Sequence, residues 1–236
     1  MKSLYIFKVG ETFDDVAAHM GDFEDWILRA LGATSVPTRT VDPRKEDALP
    51  ALRSVAGAVI TGSHAMVTDR EAWSEALAVW LRDAVNEQVP ILGICYGHQL
   101  LAHALGGEVT NHPVGLEVGT VAIKLNENGA QDALLGQLPE TFSAQVVHRQ
   151  SVRRLPPGAT LLAGNEFEPH HAFRVGPSAW GIQFHPEFDE TAMAAYVTRM
   201  AKNGKVAGKP ADGVLEQVGP TEEAASVLRR FGTLIG

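Results

Sequence analysis

The chain has 236 residues, 45% of them hydrophobic, enough to bury the core of one α/β domain. Its 20 basic and 28 acidic residues give a formal charge of -8 with no Lys/Arg cluster, which argues against a nucleic-acid or anionic-membrane partner. A single cysteine excludes an intramolecular disulfide, and no signal-type segment or run of transmembrane length occurs, so a reducing, cytoplasmic setting is expected, where a lone thiol stays reactive.

Strands and helices are predicted to alternate through the first half. Residues 4–9 read as a buried strand, and Phe23, Trp26, Ile27, Ala30 and Leu31 then recur at helical spacing, with Asp22 as N-cap and Gly32 past the end. Residues 58–61 form a second apolar strand. The helical stripe Trp73, Ala76, Leu77, Trp80, Leu81, Ala84 and Val85 follows, with Thr68 and Glu71 spaced as a capping box. Residues 89–94 read as a third strand, running at once into a helix from Tyr96 to about Leu105 that Gly106-Gly107 stops. This rhythm predicts a mostly parallel sheet with helices on both faces.

After Gly107 the pattern shortens. Residues 120–125, 142–147, 160–163 and 172–175 are β-rich and separated by Gly, Pro and Asn, which predicts a short antiparallel edge, with Gly176-Pro177-Ser178 as a hairpin connection. Residues 179–184 form another strand and residues 191–202 a helix. Residues 203–219 are weakly periodic and read as a loop before a last helix at 221–234. The organisation expected is one domain over 1–236, its core at about 4–202 and the loop and C-terminal helix at 203–236.

Chemistry concentrates at Gly93-Ile94-Cys95-Tyr96-Gly97. A nucleophile with glycines two residues to either side, between a buried strand and a helix, has the layout of a nucleophile elbow. Such a turn exposes the sulfur at a helix N-terminus, where free backbone NH groups and the macrodipole favour the thiolate. The ordinary alternative is a structural cysteine packed as a small hydrophobe. A base is then needed, and His185-Pro186-Glu187 follows a strand end, where ligands of open α/β sheets collect. A carboxylate on one ring nitrogen would set the tautomer whose other nitrogen takes the thiol proton. Eight other histidines compete, and spacing does not choose between them. His98 and His103 suit local packing or hydrogen bonding, and His170-His171 lacks convincing metal spacing. The turn Thr61-Gly62-Ser63 offers a backbone NH for an oxyanion, with a second from Tyr96, although glycine is also the default residue of an ordinary turn.

In this order, Val59-Ile60-Thr61-Gly62-Ser63, Gly93-Ile94-Cys95-Tyr96-Gly97-His98-Gln99-Leu100-Leu101 and Gly181-Ile182-Gln183-Phe184-His185-Pro186-Glu187-Phe188 resemble the class I glutamine amidotransferase family, nearest to the amidotransferase domain of GMP synthase. The resemblance spans residues 4–200. It implies a flavodoxin-like fold, a Cys95-His185-Glu187 triad, oxyanion donors at Gly62 and Tyr96, and a glutamine-contacting Gln99. His148 matches a family histidine that would flank the substrate; Arg149 departs from the small or amide residue usual beside it.

The implied reaction is hydrolysis of the glutamine side-chain amide through a cysteinyl γ-glutamyl thioester, with no metal or cofactor. No Walker-type phosphate loop is present, so a separate synthase or acceptor protein is the expected partner. A γ-glutamyl conjugate hydrolase using the same residues is the second reading. A non-catalytic binding or regulatory module on the same fold is the third.

Overall fold

The computed structural model describes residues 2–45 and 48–235; the outer bounds of the one-domain expectation, Met1 and Gly236, lie outside them. In chain order the main elements are β1 (Ser3–Phe7), α1 (Asp14–Met20), α2 (Phe23–Leu31), β2 (Thr38–Val41), β3 (Val55–Ile60), α3 (Ala72–Asn86), β4 (Ile91–Ile94) and α4 (Tyr96–Ala104). Then come β5 (Glu108–Asn111), β6 (Glu117–Leu125), α5 (Glu127–Ala130), β7 (Thr141–His148), β8 (Gln150–Arg154), β9 (Thr160–Gly164), β10 (Ala172–Val175) and β11 (Ala179–Ile182). The chain closes with α6 (Glu190–Met200), the small strands β12 (Lys205–Val206) and β13 (Lys209–Pro210), α7 (Ala211–Leu215) and α8 (Glu222–Ile235).

One nine-stranded sheet, ordered β2-β1-β3-β4-β11-β10-β9-β6-β7, organises the chain. The pairs from β2 to β11 are all parallel, and those from β11 to β7 are antiparallel. The expected antiparallel edge is therefore a four-strand wing of the same sheet. Alternation along the strands divides two cores. Leu4, Ile6, Val59, Leu92 and Ile94 face the layer of Ile27, Leu31, Val227, Leu228 and Phe231 from α2 and α8. Phe7, Ala58, Ile60 and Ile91 face Leu77, Leu81, Leu100 and Leu101 from α3 and α4. Helices thus cover both faces, as parallel strands buried on both sides require.

Local chemistry explains where the expectations hold and where they fail. Asp22 caps α2 in a capping box with Asp25, and Gly32 ends the helix at φ 68°. Thr68 does not cap α3: it lies in a 3-10 turn, Val67–Asp69, and its hydroxyl instead accepts a hydrogen bond from Gln150 Nε2 at 2.6 Å. Glu71 is the N-cap residue but makes no side-chain cap. Residues 203–219 are not a plain loop. They hold the β12–β13 hairpin, whose two turn residues, Ala207 and Gly208, both have positive φ, and the helix α7. This segment is tied to the sheet through Gly219, whose NH donates to Thr120 Oγ1 and whose carbonyl accepts from Gln145 Nε2.

Close packing at the β4–α4 turn sets the geometry of everything near Cys95. A β-carbon on Gly93 would stand 2.4 Å from the Gly97 carbonyl oxygen, and one on Gly97 would stand 2.6 Å from the Ile60 carbonyl oxygen. Both glycines are demanded by backbone approaching backbone, which cannot yield as a flexible side chain can. Gly213, in α7, has open space around it. We expect Gly97→Ala to destabilise the fold by ~1–3 kcal/mol through overpacking. Gly213→Ala should be neutral or stabilising, by up to ~1 kcal/mol. Urea unfolding of the two variants beside wild type checks the contrast, and equal midpoints would contradict it.

Candidate active site

Cys95 sits between β4 and α4 with φ 49° and ψ -97°, a conformation unfavourable for a non-glycine residue. Neighbouring bonds hold it there: its NH donates to the Ile182 carbonyl at 2.9 Å, and its own carbonyl accepts the first turn of α4 from the Gln99 NH at 3.1 Å. The thiol is nearly buried, 3.7 Å from the Val147 carbonyl oxygen, and lines a cavity of about 350 Å³.

His185 lies three residues past β11, the strand beside β4, so the sheet brings it to the same end as Cys95. Its NH donates to the Gln145 carbonyl at 2.8 Å. Its Nδ1 is 2.8 Å from Glu187 Oε1, while Nε2 is buried and makes no hydrogen bond. Burial alone would strip the ring of its proton, but the charges of Glu187 and of the Cys95 sulfur outweigh it and raise its pKa to about 10. The structure therefore brings Cys95, His185 and Glu187 together.

Gly62 follows β3, and a β-carbon there would stand 3.0 Å from His185 Cε1 and 3.8 Å from Cys95 Cβ. Thr61 fixes this loop, accepting from the Val9 NH and donating to the Gly62 carbonyl. Tyr96 opens α4, where a backbone NH has no carbonyl within the helix to receive it. Its phenol points elsewhere, to Ser74 at 2.7 Å and onto the Trp73 ring. Gln99, one turn beyond Cys95, lines the cavity, with Nε2 shared between the Gln150 carbonyl and Gln183 Oε1, both at 2.9 Å. His148 also lines it, but both ring nitrogens are occupied, by the Gln150 carbonyl at 3.0 Å and Glu117 Oε2 at 2.8 Å.

Two features near the site were not foreseen. The first is a buried polar layer behind the cavity, where Glu117 joins His148 and lies 3.5 Å from His171. Burial works to raise Glu117, yet the hydrogen bond with His148 outweighs it and holds the carboxyl below its ordinary value. Burial lowers His98 and His171 to about 3, although Gly181 and Glu117, respectively, act in the other direction. The second is a set of aromatic rings, Phe13, Phe23, His64, Phe188 and Tyr196, drawn from five separate segments to one side of the cavity. Only Phe188, adjacent to the His-Pro-Glu segment, carried a sequence signal.

Among the described residues, no group of three or more His, Cys, Asp or Glu is placed to hold a metal ion, and no helix is long and apolar enough to cross a membrane.

A parallel sheet wrapped by helices, with a cysteine on a strained strand-to-helix turn, is the flavodoxin-like architecture of the class I glutamine amidotransferases. The family model of class-I glutamine amidotransferases matches residues 18–202, and the chain belongs to that family. It is 36% identical over 137 residues to a glutamine-hydrolysing GMP synthase of Porphyromonas gingivalis, which covers 58% of this chain and 26% of that protein. It is 30% identical over 192 residues to a glutamine amidotransferase-like protein of Schizosaccharomyces pombe, covering 74% of each. A crystal structure of a glutamine amidotransferase from Methylobacillus flagellatus superposes with a TM-score of 0.71 at 26% identity, covering 100% of this chain and 92% of that one. The chain spans about a quarter of the length of the Porphyromonas GMP synthases it matches.

The buried histidines make stability depend on pH. Unfolded, His98 and His171 would take up protons near pH 6.5; folded, they resist until about 3. Their stabilisation is complete above pH 6.5 and is lost as pH falls toward 3, at up to ~1.4 kcal/mol per pH unit for each ring. We expect urea midpoints to drop steadily from pH 6.5 to 5, a window above most carboxylate titration. His98→Gln should flatten the slope, and a level wild-type profile would contradict the account.

Proposed function

We propose that this chain hydrolyses the side-chain amide of glutamine through a cysteinyl γ-glutamyl thioester, passing ammonia to an acceptor on a separate protein. The observation that carries the reading is one imidazole, held at Nδ1 by Glu187, with its free Nε2 beside a cysteine on a strained elbow. Glu187 orients the ring and favours its charged form, so Cys95 and His185 are poised as a thiolate–imidazolium pair.

The thiolate attacks the γ-carbonyl carbon, and the developing oxyanion is received by the backbone NH groups of Gly62 and Tyr96. As the carbon–nitrogen bond breaks, His185 gives its proton to the departing nitrogen. Water then attacks the thioester, His185 takes its proton, and glutamate leaves with the thiolate restored. Gln99 faces the substrate one turn from the nucleophile. For His148 the reading shifts: with both nitrogens engaged, it shapes the wall rather than offering a free nitrogen to the substrate.

The match to glutamine-hydrolysing GMP synthases supports glutamine as substrate and a separate synthase as partner. We read the chain as one domain, with 203–235 packed onto the family core, in a reducing compartment that keeps Cys95 a thiol. The non-catalytic module fits less well, because nothing in such a module calls for a strained thiol beside a charged, carboxylate-held imidazole.

Cys95→Ala should abolish glutamate release from glutamine while leaving the unfolding midpoint near wild type. The assay is run on the purified chain and again with cell extract supplying an acceptor, and near-normal turnover by the variant would refute the nucleophile. His185→Ala should slow hydrolysis by ~10²–10⁴-fold, the range for loss of a general acid–base. Glu187→Gln should cost less and also shift the pH profile. Because the Glu187 charge raises His185, the alkaline limb of kcat/KM is expected near 10 in wild type and lower in Glu187→Gln. A limb unmoved by that substitution would remove Glu187 from the triad.

A further inference from the structure

The cavity at Cys95 is chemically divided. On the side of the thiol stand Gln99, His148, Arg149 and Gln150, and Arg149 is the one guanidinium or ammonium group lining it. On the side of the imidazole the wall is aromatic. The Phe188 ring lies 4.3 Å from that of His185 and 5.0 Å from that of Tyr196, Phe13 lies 5.0 Å from Tyr196 and 4.8 Å from His64, and Phe23 completes the wall.

These rings carry little polarity into the cavity. The Tyr196 hydroxyl is held by Thr12 at 2.9 Å and His64 at 3.2 Å. Burial, and then the charge on His185, lower the pKa of His64, so that ring is neutral at neutral pH.

The reaction fixes which half of a substrate meets which wall. The acyl carbon must reach the sulfur, and the departing nitrogen must reach the proton on His185, so whatever that nitrogen carries lies along the imidazole side. In glutamine it carries only hydrogens, and ammonia gains nothing from aromatic walls. A cavity of about 350 Å³ falls in the roughly 300–1,000 Å³ range of sites for drug-sized ligands, mostly apolar with a few placed polar groups.

We propose that this chain cleaves N-substituted γ-glutamyl amides whose leaving amine bears an uncharged aromatic group, the ring seated among Phe13, Phe23, His64, Phe188 and Tyr196. The inference rests on the cysteine amidohydrolase reading above and names its substrate class. The γ-glutamyl half lies along Gln99 and Arg149, whose guanidinium is placed to meet a carboxylate. The carbon–sulfur bond forms as the carbon–nitrogen bond breaks, the His185 proton leaves with the amine, and water supplies the oxygen and the replacement proton. The sum is amide plus water giving glutamate and the free aromatic amine, with no other reactant.

The test compares L-glutamine, γ-glutamyl ethylamide and γ-glutamyl benzylamide on the purified chain, reading glutamate release. Ethylamine and benzylamine are of similar basicity, so the comparison reports the ring rather than the leaving-group chemistry. We expect kcat/KM for the benzylamide to exceed that for the ethylamide at least tenfold, mostly through KM. Phe13→Ala should bring that ratio close to one, and calorimetry on Cys95→Ala should show the benzylamide binding at least tenfold more tightly than the ethylamide. Cys95-dependent hydrolysis of glutamine or ethylamide with no benzylamide preference would overturn this inference and leave the amidohydrolase reading standing. No Cys95-dependent release from any of the three, alone or with cell extract, would overturn both.

Discussion

The site depends on how closely β4 and α4 approach β3. With no side chain at Gly93 or Gly97, the backbone of the turn lies directly on itself and on Ile60, and Cys95 is left in a conformation it would not choose alone. Parallel pairing of β11 with β4 then sets His185 at the same end of the sheet, and pairing of β1 and β4 with β3 brings the Gly62 loop there too. Three segments far apart in sequence meet because the sheet places them at the ends of adjacent strands.

Electrostatics complete what packing begins. A buried imidazole is ordinarily neutral, and His98 and His171 behave that way. His185 is as deeply buried yet holds its proton, because a carboxylate on one side and sulfur on the other supply the charge that water cannot. The same protein interior thus produces neutral and charged histidines a few residues apart, and the difference lies in their neighbours rather than in their depth.

Much of this was legible in the sequence. The apolar runs, the Asp22 cap and the glycine pattern around Cys95 each follow from local rules, and local rules placed β1, α2, β4, α4 and α8 to within a few residues. What escaped notice is what those rules cannot see. α1 buries only Val16 and has no side-chain cap, so it carries almost no periodic signal. β2 is mostly exposed and β5 alternates poorly, and each is a strand because of its partner. In the β12–β13 turn, Ala207 stands where asparagine or glycine would have announced the hairpin. At the site, Cys95 and Gly62 announce themselves through glycine-bearing turns, but Glu117 is 31 residues from His148, and the aromatic wall is assembled from five segments, none periodic with another.

One connection reaches beyond the family core at 18–202. Gln145 holds the His185 peptide through its carbonyl, and through its side chain it grips Thr120 and the Gly219 backbone just before α8. The C-terminal segment therefore acts as a strut: it braces, through a single glutamine, the strand from which the imidazole hangs. A hand placed on that strut is a hand on the catalytic geometry, although it touches the molecule far along the chain from any residue of the triad.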